Sequence, residues 1–165
     1  MMDIEKQLEE LYEEIAVTVN NMIPEDWEKF YFYGQVSEDG GGTYFFYNQP
    51  GNKKTYHYSL DITERFAVSE LEFYEQEDKL LDLSSKVREV FEEHNQDLWY
   101  SFTMSLDREG EFSVSFDYTN WFQTDYGFLE QLKLWKYKYL NEVPTDEKGK
   151  SLIEHYLKEY PHNPI

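Results

Sequence analysis

The sequence predicts an α+β fold: an antiparallel sheet, built from an N-terminal meander and a C-terminal hairpin, packed on one side by helices. Three observations predict it. Apolar residues recur every three or four positions near the start and again in the middle of the chain, as on one face of a helix. Aromatic-rich stretches between and after these segments alternate with period two, as in half-buried strands. Clusters of Gly, Pro, Asn and Asp separate the stretches. At 165 residues the chain fits one domain, 1–165.

The elements follow in order. Ile4, Leu8, Leu11, Ile15, Val19 and Met22 form the apolar face of a first helix, and Glu5, Glu9, Glu10, Glu13 and Glu14 give it an acidic outer face. Pro24 ends this helix near Ile23, because the residue before a proline is pushed out of the α region. Trp27–Val36, Thr43–Asn48 and Thr55–Leu60 then read as a three-stranded meander. Its turns are Asp39-Gly40-Gly41-Gly42 and Gln49-Pro50-Gly51-Asn52. Residues 61–71 read as a loop with a helical turn around Asp61–Glu64. A second long helix is expected from about Glu75 to His94, with Leu80, Leu83, Val87 and Val90 or Phe91 as its stripe and Asn95 as its stop.

The strongest strand signal comes next. Leu98, Tyr100, Phe102, Met104 and Leu106 alternate with Trp99, Ser101, Thr103 and Ser105. Beyond Asp107-Arg108-Glu109-Gly110, Phe112, Val114, Phe116 and Tyr118 alternate with Ser113, Ser115 and Asp117, which makes a hairpin. One face is apolar and the other rich in hydroxyls, so the sheet is expected to be covered on one side. Phe128, Leu132, Trp135 and Tyr139 mark a further helix, broadened by Leu129, Leu134 and Tyr137. After a break at Asn141-Glu142-Val143-Pro144, Leu152, Ile153, Tyr156 and Leu157 suggest a short final helix stopped by Pro161.

Charge is the most informative bulk property. Thirty-four acidic residues against fifteen basic ones leave a net charge of −19 and a pI near 4.4. Phosphate backbones and anionic leaflets repel such a chain, so neither direct nucleic-acid binding nor membrane-surface binding is expected. Basic proteins would attract it, although the same acidity also serves solubility. With 19% aromatic residues the chain can build a core and does not read as disordered. It contains no cysteine, and its first residues lack the basic and apolar regions of a secretion signal. No apolar run approaches the roughly 18 residues of a membrane span, and a cytoplasmic location is expected.

The motifs of catalysis are missing. His57, His94, His155 and His162 are dispersed, without partners at metal-ligand spacing, and there is no HExxH and no G-x-S-x-G elbow. Gly149-Lys150-Ser151 resembles the end of a phosphate-binding loop, but Pro144 stands where that loop needs its first glycine. The sequence therefore points to no cofactor, no metal and no enzyme. What remains is Ser115–Trp121, where Asp117, Tyr118 and Trp121 put aromatics beside a carboxylate at a strand end. With Asp39 in the glycine turn, Trp99 on the hydroxyl side of the hairpin and Asp125 just beyond, these are the candidate partner-binding residues. The same pattern also fits Trp121 and Tyr118 in the core with Asp117 capping the next turn.

Three stretches in order carry a family resemblance. They are Asn21-Met22-Ile23-Pro24-Glu25-Asp26-Trp27-Glu28-Lys29, then Asp39 to Tyr47 (DGGGTYFFY), then Arg108 to Tyr118 (REGEFSVSFDY). Together they resemble the YezG/EsaG family of bacterial immunity proteins over roughly residues 3–140. The resemblance implies a cytoplasmic antitoxin encoded beside a large LXG-type toxin that leaves through a type VII-like secretion route. It implies that the partner is the toxin's C-terminal nuclease domain. The free protein is expected to be a monomer or weak homo-oligomer. Two other classes stay open on the residues alone: a small-ligand binder or enzyme with a dispersed site, and a structural adaptor.

Overall fold

In a computed structural model of the chain, residues 3–38 and 40–165 are described. They fold as five helices and a five-stranded antiparallel sheet, the α+β arrangement the patterning predicts. Two compact units are distinguished, one ending at Phe116 and the other running Asp117–Ile165.

In the first unit, α1 spans Ile4–Met22 and starts at Asp3, whose side chain accepts from the Glu5 amide at 2.8 Å. Strands β1 (Lys29–Ser37) and β2 (Gly40–Asn48) pair antiparallel from Lys29↔Asn48 to Ser37↔Gly40. The glycines expected in a turn thus belong to β2. A side chain at Gly41 would place its Cβ 1.9 Å from the Gln35 carbonyl oxygen, so only glycine lets the two backbones approach this closely. The Gln49–Asn52 turn forms as predicted, closed by the Asn52 amide on the Gln49 carbonyl at 3.0 Å.

The third strand is shorter than expected: β3 is His57–Tyr58, paired with Tyr47 and Phe46. The Ser59 hydroxyl accepts from the Phe45 amide at 3.1 Å, taking the donor that a longer ladder would have used. The chain then winds into a 3₁₀ turn, Ser59–Asp61, and a single helical turn, α2 (Ile62–Arg65).

The long helix α3 covers Glu70–Glu93, five residues earlier than the apolar stripe suggests. Phe73 is buried seven residues before Leu80 and continues the stripe, but the exposed Leu71 and Tyr74 beside it obscure the pattern. The start of α3 is set by Ser69, whose hydroxyl accepts from the Glu72 amide at 3.2 Å. Strand β4 (Ser101–Asp107) lies beside β1, and β5 (Phe112–Asp117) closes the sheet in the order β3-β2-β1-β4-β5.

Alternation sorts this sheet. Phe30, Phe32, Phe45, Tyr47, Phe102 and Met104 share the face on which α1 and α3 pack, with Ile15, Val19, Leu80, Leu83 and Val87 opposite them. Tyr31, Tyr33, Tyr44, Phe46, Thr103 and Ser105 occupy the other face, where Tyr33, Phe46, Thr103 and Ser105 are buried as well, so the sheet is not covered on one side alone as the alternation suggested.

The second unit has no strand of its own after Asp117. A 3₁₀ turn, Trp121–Gln123, leads to α4 (Phe128–Leu140), which ends at Asn141 in the left-handed region, φ 56°. Helix α5 covers Glu147–Glu159 from an Asp146 cap. Its core is an aromatic cluster: Trp121 lies 5.5 Å from Tyr126, 6.0 Å from Tyr156 and 5.4 Å from Tyr160, centroid to centroid. The last residues fold back, with Lys138 Nζ donating to the carbonyls of Asn163 (2.7 Å) and Ile165 (2.8 Å).

Candidate interaction surfaces

The candidate residues from the sequence fall into distinct places. Asp39 lies outside the described residues. Trp99 is fully buried in the first unit, edge-on to Phe102 at 5.0 Å and 5.6 Å from Phe116, and it is a core residue. The alternation that assigned it to the hydroxyl side does not reach it, because β4 begins two residues later at Ser101.

Asp117 and Trp121 are also interior, at 4% and 3% exposure. The Asp117 carboxylate accepts from the Thr119 amide at 2.9 Å and from Trp121 Nε1 at 2.7 Å. Burial pushes its pKa up, opposed by those hydrogen bonds and by the charge of Lys138. The alternative reading of the pattern thus holds for Asp117, which caps the turn, and for Trp121 in the core, but not for Tyr118, which it also put in the core. Tyr118, 51% exposed, and Asp125 stay on the surface.

Asp125 borders a half-open hollow of the second unit shared with Tyr126, Glu130, His155, Glu159 and Tyr160. The Tyr126 hydroxyl donates to Glu159 at 2.9 Å. Burial and the neighbouring carboxylates, Glu159 foremost, raise the pKa of this phenol, so it is held as a neutral donor. Among the described residues, the carboxyl groups whose pKa values burial raises, Glu77 and Asp117, line no part of this hollow. Among the described residues, no three histidine or carboxylate side chains group as a metal site. Nor is any helix long and apolar enough to cross a membrane. Gly149 heads α5 with its amide on Asp146, and a side chain there would run into Pro144, so packing accounts for the glycine of the loop-like motif.

A surface that the sequence reading did not assemble lies wholly in the first unit. Shallow grooves that share lining residues run along α1, two of them against the β4–β5 hairpin and one against α3. Tyr12, Ala16, Leu106 and Phe112 floor one, with Glu9 and Glu13 at its edge. A second, sharing Ala16 and Leu106 with the first, is lined by Val17, Trp27, Asp107 and Arg108, and a third is lined by Glu10, Glu13, Glu14, Val17 and Lys79. Phe112 and Val17 are half-exposed, at 46% and 52%, and the Tyr12 and Phe112 rings meet at 5.6 Å. Burial pushes the Tyr12 phenol up to about 12, so the floor stays uncharged. Helix periodicity marks Val17 as off the apolar stripe, but only the fold sets Phe112 beside Tyr12, in a hollow that shares Ala16 and Leu106 with one that Val17 borders.

A family model for YezG-like immunity proteins matches residues 8–154. The chain belongs to the YezG-like family of immunity proteins. It is similar to immunity protein YezG of Bacillus spizizenii, with 34% identity over 90% of this chain and 92% of that protein. Similarity to the type VII secretion system protein EsaG of Staphylococcus aureus is 33% over 96% and 98% of the two chains. Immunity protein YezG of Bacillus subtilis is 31% identical over 91% of this chain and 99% of its own length. The family match crosses Phe116 and covers α1 and the hairpin as well as most of the second unit.

Proposed function

We propose that this protein is a cytoplasmic immunity protein that binds the C-terminal nuclease domain of a cognate secreted toxin and neutralises it without catalysing a reaction. The observation that carries the reading is the family match over residues 8–154, which runs through both compact units and supports the whole chain acting as one immunity module. Charge supports the nature of the partner. A nuclease that grips DNA needs a basic groove, and a chain of net charge −19 is drawn to such a groove by long-range attraction. The carboxylates on the outer side of α1 supply that attraction next to apolar groups that can make the complex last.

The experiment mixes this protein with the nuclease domain encoded beside its gene and follows DNA cleavage. Stoichiometric protein is expected to abolish cleavage; undiminished cleavage at a molar excess would refute the reading. The salt dependence of association reports on steering, since exposed charges are screened beyond about 8 Å at physiological ionic strength.

A further inference from the structure

Resting on that reading, we infer that the groove between α1 and the β4–β5 hairpin is the docking site for a basic segment of the toxin. An apolar side chain of that segment lodges against Phe112, Tyr12 and Leu106, the segment runs on past Val17 in the adjoining hollow, and its flanking Lys or Arg residues face the carboxylates of α1.

The chemistry of the groove selects this occupant. Its floor offers exposed apolar groups that gain by leaving water, while its rim is acidic. Glu9 and Glu13, like Glu10 and Glu14, stand four residues apart on a helix and repel one another; Lys79 lines the hollow of Glu10, Glu13 and Glu14, whereas the described lining of the hollow with Glu9, Glu13 and Phe112 includes no cation. A purely apolar partner would cover the floor and leave this repulsion in place. A second copy of the chain would set the same four glutamates against their own images, with each copy carrying −19. Nucleic acid and anionic lipid are repelled outright. A cationic segment with one apolar anchor satisfies floor and rim together.

The groove also divides the work of binding. Glutamates at an exposed rim accelerate encounter and make it salt-dependent, whereas apolar groups packed on Phe112 and along Val17 govern how slowly the complex separates.

The test measures association and dissociation with the neighbouring nuclease domain for wild type and variants, with melting curves to establish that each variant folds. Phe112→Ala and Val17→Asp are expected to weaken binding by about tenfold or more, mainly through faster dissociation. Changing Glu9, Glu10, Glu13 and Glu14 together to Gln is expected to slow association and flatten its salt dependence. Leu129→Ala, an exposed apolar change in the second unit, is expected to bind as wild type. If Phe112→Ala fails to fold, Val17→Asp on the solvent side of α1 decides. Wild-type affinity in the folded groove variants, while wild type still inhibits the nuclease, overturns the groove and leaves the immunity reading standing. A groove substitution that instead dissolves a wild-type homodimer overturns it in favour of self-association. Failure of wild type to bind the nuclease domain removes the immunity reading and the groove with it.

Discussion

The two units of this chain solve the same problem, holding large aromatic side chains out of water, in different ways. In the first unit Phe30, Phe32, Phe45, Phe102 and Met104 lie under α1 and α3, and hydrocarbon packing between a sheet face and two helices is the main attraction. In the second, Trp121, Tyr126, Tyr156 and Tyr160 cluster, and the polar tips of Trp121, Tyr126 and Tyr156 are hydrogen-bonded. Trp121 donates to the buried Asp117 carboxylate, Tyr126 to Glu159, and Tyr156 to Asn163 Oδ1 at 2.8 Å while accepting from the Ile165 amide at 3.2 Å. A strand-based core gathers apolar faces from distant parts of the chain. The unit of two helices and a short turn depends far more on directed hydrogen bonds, because its rings each carry an oxygen or nitrogen that must find a partner.

Substitutions can break or sharpen this contrast. The largest effect is expected from Trp99→Ala, which empties the middle of the first core and should destabilise it by about 3–5 kcal/mol in urea unfolding. A loss below about 1 kcal/mol would mean that packing does not dominate there. Gly41→Ala should follow at about 1–3 kcal/mol, since the atom it meets is a backbone carbonyl of a paired strand that cannot swing aside. An unchanged urea midpoint would show that β1 and β2 can separate locally at little expense.

Tyr156→Phe keeps the ring and removes the hydroxyl, so it tests the second unit alone. Leaving the Ile165 amide without an acceptor should lower stability by about 1–3 kcal/mol, towards the lower end if water reaches the amide. A midpoint matching wild type would assign the cohesion of this unit to its rings, as in the first.

The smallest net effect, but one with a pH signature, is expected for Asp117→Asn. Burial raises the folded-state pKa of Asp117 above its ordinary 3.8, so the native state holds that proton more tightly than the unfolded chain does. Its contribution to stability is therefore fully present below 3.8 and is lost as pH rises through the raised value. Asparagine has no charge to bury, so the stability difference should move in the variant's favour as pH is raised from acid towards neutrality. A difference that does not change with pH would place the carboxylate in contact with water.

Much of this was readable from residue order. The stripe Ile4–Met22 set α1 because proline cannot follow within a helix, and the alternation through Ser101–Leu106 and Phe112–Phe116 set the closing hairpin. Periodicity failed where a single polar side chain outranked it. Ser69 started α3 ahead of the stripe read from Leu80, Ser59 stopped β3 after two residues, and the phase of β4 did not extend back to Trp99. The candidate site was read less well, because Asp117 and Trp121 satisfy each other in the interior, which neither spacing nor composition reveals.

By itself the sequence determined the helix and strand identities, the strong negative charge and the family, since these depend on local periodicity, on counting and on ordered similarity. Only the tertiary structure decided which aromatics are buried and which carboxylates stand beside exposed apolar groups. Val17 and Phe112 are far apart along the chain, and they border connected grooves because the pairing of β4 with β1 carries the hairpin up against the outer side of α1.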